Sequence, residues 1–285
     1  MKKLCVIGDP VEHSKSPLIQ NTMLGALGLD GEYVYGKERV AGADTALFLA
    51  RAESEGYVGF NATMPHKENL VPLMDELEPY AAEVGAVNTV CIREGKYYGF
   101  NTDGAGFLAS LREAGVSAQG KTVVLLGAGG AAKSVALALR RMGGARAVFV
   151  CNRHIERAAA ICRWDDEGGM APAGFEPETL CRLAARCDLL VNATALGMEG
   201  TKGQFEDLGF LEALPPEAAV CDLIYAPLET ELLRTARELG HRTMNGLGML
   251  VWQAIFALEH FTETKIDGRA MAALLRERLN PPVTL

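Results

Sequence analysis

No stretch of this sequence is rich in basic residues, none is long and apolar, and none is of low complexity. The lack of a basic run, with a formal net charge of −8 and a pI near 5.3, argues against a nucleic-acid binder that works by neutralising phosphates. The opening "MKKLCVIGDP" offers two lysines and four apolar residues before Gly8, too few for a signal peptide or a membrane span, so a cytoplasmic protein is expected. With 49% hydrophobic against 22% charged residues, the chain is expected to be ordered and globular.

Metal-clip spacing is missing as well. The seven cysteines (Cys5, Cys91, Cys151, Cys162, Cys181, Cys187 and Cys221) are odd in number, scattered, and partly inside apolar runs, as free thiols in a reducing cytosol are. The five histidines (His13, His66, His154, His241 and His260) form no H-x-x-x-H pattern. No metal is assigned.

What is present, over 285 residues, is alternation on a two-domain scale. "KLCVIG", "EYVYGKERV" and "YVGFNAT" have strand length, and helical spacing lies between them in "SPLIQNTMLGALG" and "GADTALFLARAESEG". This β-α-β-α-β order implies parallel strands with right-handed crossovers. "PHKENLVPLMDELEPYAAEVGA" is expected to be helical with a break near Pro72 or Pro79, and "NTVCIREGKYYGFNTD" to be a hairpin turning at Glu94-Gly95. A mixed sheet follows for the first hundred residues. Five further strand-like runs, at "KTVVLLG", "ARAVFVCNR", "CDLLVNATALGM", "AAVCDLIYAP" and "GHRTMNG", predict a doubly wound domain over 104–245. The first domain, 1–103, is expected to be completed by 246–285, whose helices near 247–261 and 267–279 have no strand of their own to cover.

Gly127-Ala128-Gly129-Gly130-Ala131-Ala132 follows the strand "TVVLL" and opens a helix. In that context the first glycine permits a tight turn, the second lets backbone approach a pyrophosphate, and a small third residue packs helix on strand. The helix N-terminus then offers free N–H groups to an anion. About twenty residues on, an NAD site usually carries an acid for the ribose 2′-hydroxyl. Here Asn152, Arg153 and Arg157 stand instead, and two arginines suit a 2′-phosphate, favouring NADP over NAD. The competing reading is a P-loop, since "GAGGAAKS" departs from G-x-x-x-x-G-K-[ST] only at Ala132.

Three polar clusters end strands of the first domain. In His13-Ser14-Lys15-Ser16-Pro17, Ser16 suits an N-cap and Pro17 a first helical position, a role that does not need Ser14. In Asn101-Thr102-Asp103-Gly104, Asp103 could be an N-cap, and Asn88-Thr89 could close a turn. "GFNATMPHKE" (59–68) is harder to explain structurally: with Pro65 as first helical residue, Lys67 falls in the first turn, where the helix dipole opposes its charge, and the plain alternative is an exposed lysine that is merely tolerated. A lysine so placed is suited to proton transfer.

Together these motifs, with Asn192-Ala193-Thr194, "DLIYAPLET" at 222–230 and "NGLGMLVWQA" at 245–254, resemble the shikimate dehydrogenase family in order and spacing. The resemblance implies an N-terminal mixed-sheet α/β substrate domain, a Rossmann NADP-binding domain and C-terminal helices returning to the first. It implies reversible NADPH-dependent reduction of 3-dehydroshikimate to shikimate in aromatic amino-acid biosynthesis. Lys67 and Asp103 match the family's catalytic pair. Ser14 and Ser16 match its carboxylate-binding serines, and Thr63, Asn88, Asp103 and Gln253 the groups that hold ring hydroxyls. Asn61 supports that pocket, and Tyr225 matches a tyrosine that can reach the substrate. From periodicity alone, Gln253 shares a helical face with Ala257 and His260 that solvent would explain equally. The cofactor set implied is Gly127, Ala128, Gly129, Gly130, Ala131, Asn152, Arg153, Arg157, Thr194, Gly246 and Met249. Ser16, where quinate-preferring members often carry Thr, points to shikimate. A quinate/shikimate enzyme using NAD and a non-catalytic nucleotide-binding regulator are the alternatives. The expected partners are small molecules, with neither nucleic acid nor membrane, and the assembly a monomer or homodimer.

Overall fold

The computed structural model describes residues 1–279 and contains two compact units, Met1–Gly106 with the chain from Val251 onward, and Phe107–Leu250. In the first unit the elements run β1 (Lys2–Gly8), α1 (Ser16–Ala26), β2 (Tyr33–Arg39), α2 (Thr45–Ala52), β3 (Tyr57–Ala62), α3 (His66–Asn69), β4 (Glu76–Leu77), α4 (Pro79–Val84), β5 (Thr89–Arg93), β6 (Lys96–Phe100) and the start of α5 (Asp103–Glu113). Their sheet has the order β2-β1-β3-β5-β6-β4. β1 is parallel to β2 and β3, whereas β5 is antiparallel to β3 and to β6. The sheet is mixed, as the hairpin implied. Its turn places Glu94 at φ 51° and Gly95 at φ 76°, the left-handed pair that a two-residue hairpin requires.

β1 is buried from Leu4 to Gly8, as a strand covered on both faces must be, and β2, at the edge, buries Tyr33 and Tyr35 while exposing Val34 and Gly36. Under α2, Phe48 meets Phe60 edge to face at 5.2 Å and Tyr57 at 5.7 Å. Residues 65–86 depart from the expected helix. One turn (α3), a 3₁₀ turn at Val71–Leu73, the short strand β4 and the helix α4 replace it. Pro72 and Pro79 lack N–H groups for a continuous ladder, and the backbone between them is drawn to β6, where Asp75 and Glu78 donate to the carbonyls of Tyr97 and Gly99.

The second unit continues with β7 (Thr122–Leu126), α6 (Gly130–Arg141), β8 (Ala147–Cys151), α7 (Ile155–Cys162), β9 (Met170–Ala173), α8 (Pro177–Ala184), β10 (Leu189–Asn192), β11 (Ala219–Asp222), α9 (Glu231–Glu238) and β12 (Arg242–Met244). All pairings are parallel, in the order β12-β11-β10-β7-β8-β9, so the winding reverses between β7 and β10. Ligands of doubly wound sheets bind beyond the carboxyl ends of the strands at that switch point. β9 is a sixth strand beyond the five expected. It lies at the sheet edge, the place where a strand tolerates a proline such as Pro172.

α10 (Leu247–Thr262) leads back to the first unit, where α11 (Gly268–Leu279) also packs, against α1. Phe261 of α10 lies against β3 at Gly59, where a Cβ would stand 2.7 Å from its ring and 2.8 Å from the Val90 carbonyl. The glycine inside "YVGFNA" makes room for that ring. Among the described residues no helix is long and apolar enough to cross a membrane.

Candidate active site

Strand register gathers the polar clusters of the first unit at one end of its sheet. Gly8 ends β1 and Ala62 ends β3, its parallel neighbour, and Thr63 donates its N–H to the carbonyl of Ile7. Because β5 is antiparallel, its start at Thr89 pairs with Asn61, and Phe100, which ends β6, pairs with Thr89. The segments holding Ser14, Thr63, Lys67, Asn88 and Asp103, loops and the helix starts that follow them, all leave that end.

Lys67 and Asp103, 36 positions apart, meet there with Nζ and Oδ2 separated by 2.6 Å. Their side chains are only 21% and 7% exposed, so the pair is shielded while Lys67 keeps an opening to solvent. Asp103 is the first residue of α5, yet its carboxylate does not cap the helix. Oδ1 accepts from Asn88 Nδ2 at 2.8 Å, and its own N–H is taken by Asn101 Oδ1 at 3.1 Å. Lys67 is fixed from behind. Its carbonyl accepts from Val87 at 2.8 Å, and the neighbouring His66 is fully buried between Thr45 Oγ1 and the Val40 carbonyl, each at 2.8 Å. Burial pushes the His66 imidazole below its ordinary range. Two of the three Lys67 N–H groups remain without a partner among the described residues.

Pro65 precedes α3 instead of starting it, and α3 has four residues. So short a helix carries little macrodipole, and the placement of Lys67 rests on Asp103 rather than on the dipole.

Behind the pair runs a buried polar chain. Asn88 Oδ1 accepts from the Thr102 N–H and the Thr89 hydroxyl, both at 2.9 Å. Asn61 Nδ2 donates to Thr89 Oγ1 at 3.0 Å and to the Asn88 carbonyl at 3.1 Å, while its Oδ1 accepts from the Tyr35 hydroxyl at 2.7 Å. Asn61 is therefore occupied on both sides by the protein itself. Tyr35, its phenol raised well above the usual range by burial, anchors the chain from β2.

Ser16 is not the cap of α1 but its first residue, with Lys15 in the cap position and Pro17 second. Ser14 proves necessary locally, because its Oγ accepts the Ser16 N–H at 3.3 Å. The hydroxyls of Ser16 and Thr63 have no partner among the described residues, and Thr63 packs its methyl over Gly8. Gln253 is half-buried on α10, whose Ala257 is fully buried, so this is no solvated face. α5 crosses α10 so closely here that a Cβ on Gly106 would stand 2.7 Å from Gln253 N.

In the second unit Gly127 follows β7 at φ 112°, and a Cβ there would stand 2.9 Å from the Ala193 carbonyl oxygen. Nothing lies within 4 Å of a Cβ built on Gly129 or Gly130, so the half-buried Ala128 and Ala131 flank an open cradle at the start of α6. Buried Ala132 seats the helix on the sheet. After β8, Asn152 Oδ1 accepts the His154 N–H at 2.9 Å, turning the chain so that exposed Arg153 and Arg157 lie on either side of the α7 start. Neither guanidinium has an ion-pair partner among the described residues. A cradle of backbone N–H groups beside two unspent guanidinium groups fits a dinucleotide with an extra phosphate. The P-loop alternative fails on geometry, since Lys133 lies over the Trp164 ring at 5.2 Å and buried Ser134 bonds the Gly130 carbonyl at 3.2 Å.

Thr194 lies beyond β10, its N–H and hydroxyl both held by Asn192 Oδ1 at 3.0 and 2.7 Å. Tyr225 follows β11, its phenol raised by burial, and belongs to the second unit. Gly246 is buried where a Cβ would collide with the Leu223 carbonyl, and Met249 is buried one turn later. Asn245 Oδ1 takes the Leu247 N–H at 3.2 Å at the start of α10, and its amide donates to Leu228 at 2.9 Å. Among the described residues, no group of three His, Cys, Asp or Glu could hold a metal.

Sequence reasoning missed two residues. Tyr35 left only the alternation of "YVYGKER" as a sign that it points inward. Asp222 left a better one, a carboxylate closing the apolar run "AAVC" on a strand that the sheet buries.

Comparison with known proteins agrees with this geometry. Residues 6–90 match the profile described as the shikimate dehydrogenase substrate binding domain, and 109–197 that of shikimate / quinate 5-dehydrogenase. The chain is 40% identical over 282 residues to the shikimate dehydrogenase (NADP(+)) of Geobacter sulfurreducens, covering 97% of this chain and 96% of that protein. It is similar to the crystal structure of shikimate 5-dehydrogenase from Thermus thermophilus in complex with NADP(H) and shikimate, with 35% identity, a TM-score of 0.81 and coverage of 97% and 99%. It is also similar to the quinate dehydrogenase of Corynebacterium glutamicum in complex with NAD, with 32% identity, a TM-score of 0.85 and coverage of 96% and 98%. By motif, fold and extended similarity the chain belongs to the shikimate dehydrogenase family.

Proposed function

We propose that this chain is an NADP-dependent shikimate dehydrogenase, interconverting 3-dehydroshikimate and shikimate. The observation that carries the reading is the shielded Lys67–Asp103 pair at 2.6 Å, with Asn88 on the other carboxylate oxygen. Reduction of a ketone needs a proton at its oxygen as hydride reaches its carbon. The Gly127–Ala131 turn would hold NADPH, which when bound would supply the hydride. Lys67 Nζ, with two N–H groups to spare, donates the proton or, deprotonated, accepts it in the oxidation direction. Asp103 fixes Nζ, and Asn88 fixes Asp103, so the donor needs no reorganisation during the reaction. The unspent hydroxyls of Ser16 and Thr63, with Ser14, Asn88 and Gln253, suit a polyol carboxylate, while Asn61 supports them from within the sheet.

The domain roles follow, with substrate binding by 1–103 completed by 246–285, and NADP binding by 104–245 through the glycine turn, Asn152, Arg153, Arg157 and Thr194, joined by Gly246 and Met249 at the start of the returning segment. Tyr225 serves the substrate. Seven free cysteines support a reducing, cytoplasmic setting, and the chain acts as a monomer or homodimer. A steady-state matrix of shikimate and quinate against NADP and NAD tests the reading. Robust turnover of shikimate with NADP is expected. Comparable NAD-linked rates on quinate would overturn it.

A further inference from the structure

Asp222 is fully buried at the end of β11, and no ion pair to it exists among the described residues. An unpaired buried carboxylate is costly, so its acceptors must be well used. Three donors converge on it. Oδ1 accepts from Asn192 Nδ2 and the Ile224 N–H, both at 3.0 Å, and Oδ2 from the Thr230 hydroxyl at 2.7 Å. A carboxylate meets three donors because it has two acceptor oxygens and no hydrogen of its own.

The consequence lies two residues beyond one donor, Asn192. Asn192 pairs with Asp222 across the strand ends, and once Asp222 holds its Nδ2 the opposite oxygen is aimed at Thr194, whose N–H and hydroxyl it takes. Thr194 Oγ1 in turn accepts the Leu196 N–H at 3.1 Å. The same loop walls the glycine turn, since a Cβ on Gly127 would meet the Ala193 carbonyl at 2.9 Å and the Thr194 methyl at 3.1 Å. Displacement of this loop moves it toward or away from the cradle.

We propose that Asp222 is a positioning residue for the dinucleotide, acting through Asn192 to set the Ala193–Leu196 loop against the Gly127 turn. This deepens the functional reading above and rests on it. It does not make Asp222 catalytic, because Asp222 acts only through its neighbours.

The test measures NADPH affinity from the cofactor's fluorescence, with amide exchange across 193–196, in Asp222→Ala, Asp222→Asn and Asn192→Ser. Loss of one relay bond is expected to weaken NADPH by about tenfold in Asp222→Ala, with faster exchange at Thr194 and Leu196. Asn192→Ser should do the same, the double variant should be no worse than either, and Asp222→Asn should recover most of the loss because its oxygen can still face Asn192. A residue that is only structural would lower the melting temperature and leave the affinity of folded protein unchanged. If Asp222→Ala does not fold, Asn192→Ser and Asp222→Asn decide. NADPH affinity within twofold of the parent in folded Asp222→Ala or Asn192→Ser, an Asp222→Asn loss as large as that of Asn192→Ser, or additive losses in the double variant, would overturn the proposal. Failure of the unaltered chain to bind NADPH would instead defeat the functional reading.

Discussion

The acidity of Asp222 makes a measurable prediction about stability. Burial raises its carboxyl from the ordinary 3.8 to about 6, against hydrogen bonds from Thr230, Ile224 and Asn192 that pull it down. A native pKa above the unfolded one means that, between these values, the folded chain binds more protons than the unfolded chain. Stability from this group is then fully present below pH 3.8 and is lost as pH rises through 6. The span amounts to about 3 kcal/mol in the limit, and roughly 2 kcal/mol of it falls between about pH 4 and pH 7. The adjacent titratable group is Cys221, whose thiol burial holds far above its ordinary range, so it contributes no slope in that window. Urea unfolding of the parent and of Asp222→Asn at both ends of the window isolates the effect, because every other titrating group cancels in the difference. The parent should gain roughly 2 kcal/mol relative to the variant on acidification. A difference that stays constant with pH, or grows in the other direction, would refute the reasoning.

Three further outcomes follow from the geometry. Lys67→Ala should lower turnover by roughly several hundredfold while weakening substrate binding far less, and unchanged turnover would make the lysine structural. Arg153→Ala combined with Arg157→Ala should weaken NADP by roughly tenfold or more while leaving NAD nearly unchanged, a contrast read from the two Michaelis constants. Gly127→Ala places a side chain at φ 112° and 2.9 Å from a carbonyl, so urea unfolding should register about 2–4 kcal/mol of lost stability, and NADPH binding should fall with it.

Much of the fold was legible because period and turn chemistry act locally. The Glu94-Gly95 turn and the alternation around β1, β2 and β3 needed no distant information. The segment 65–86 misled because its apolar spacing is helical while its prolines and its attraction to β6 are not, and the second cause lies outside the segment. β9 was hidden by Pro172, which reads as a breaker until the strand is known to be at the edge. At the site, Lys67 drew attention through a dipole that a four-residue helix scarcely has. Its partner lies 36 positions away, and only the family motif linked them. Tyr35 and Asp222 touch the site solely through buried amides, contacts that no spacing along the chain encodes.

The self-contained bonding of Asn61 and Asn88 divides this pocket into parts that evolution can and cannot alter separately. Both amides are committed to sheet, helix start and Tyr35, so replacing either breaks the floor as well as any ligand contact. Ser16 and Thr63 carry no such obligation. On the proposed function, divergence toward other polyol acids would proceed at those two hydroxyls while the asparagines stay fixed, so substrate range and foldability would be inherited through different residues.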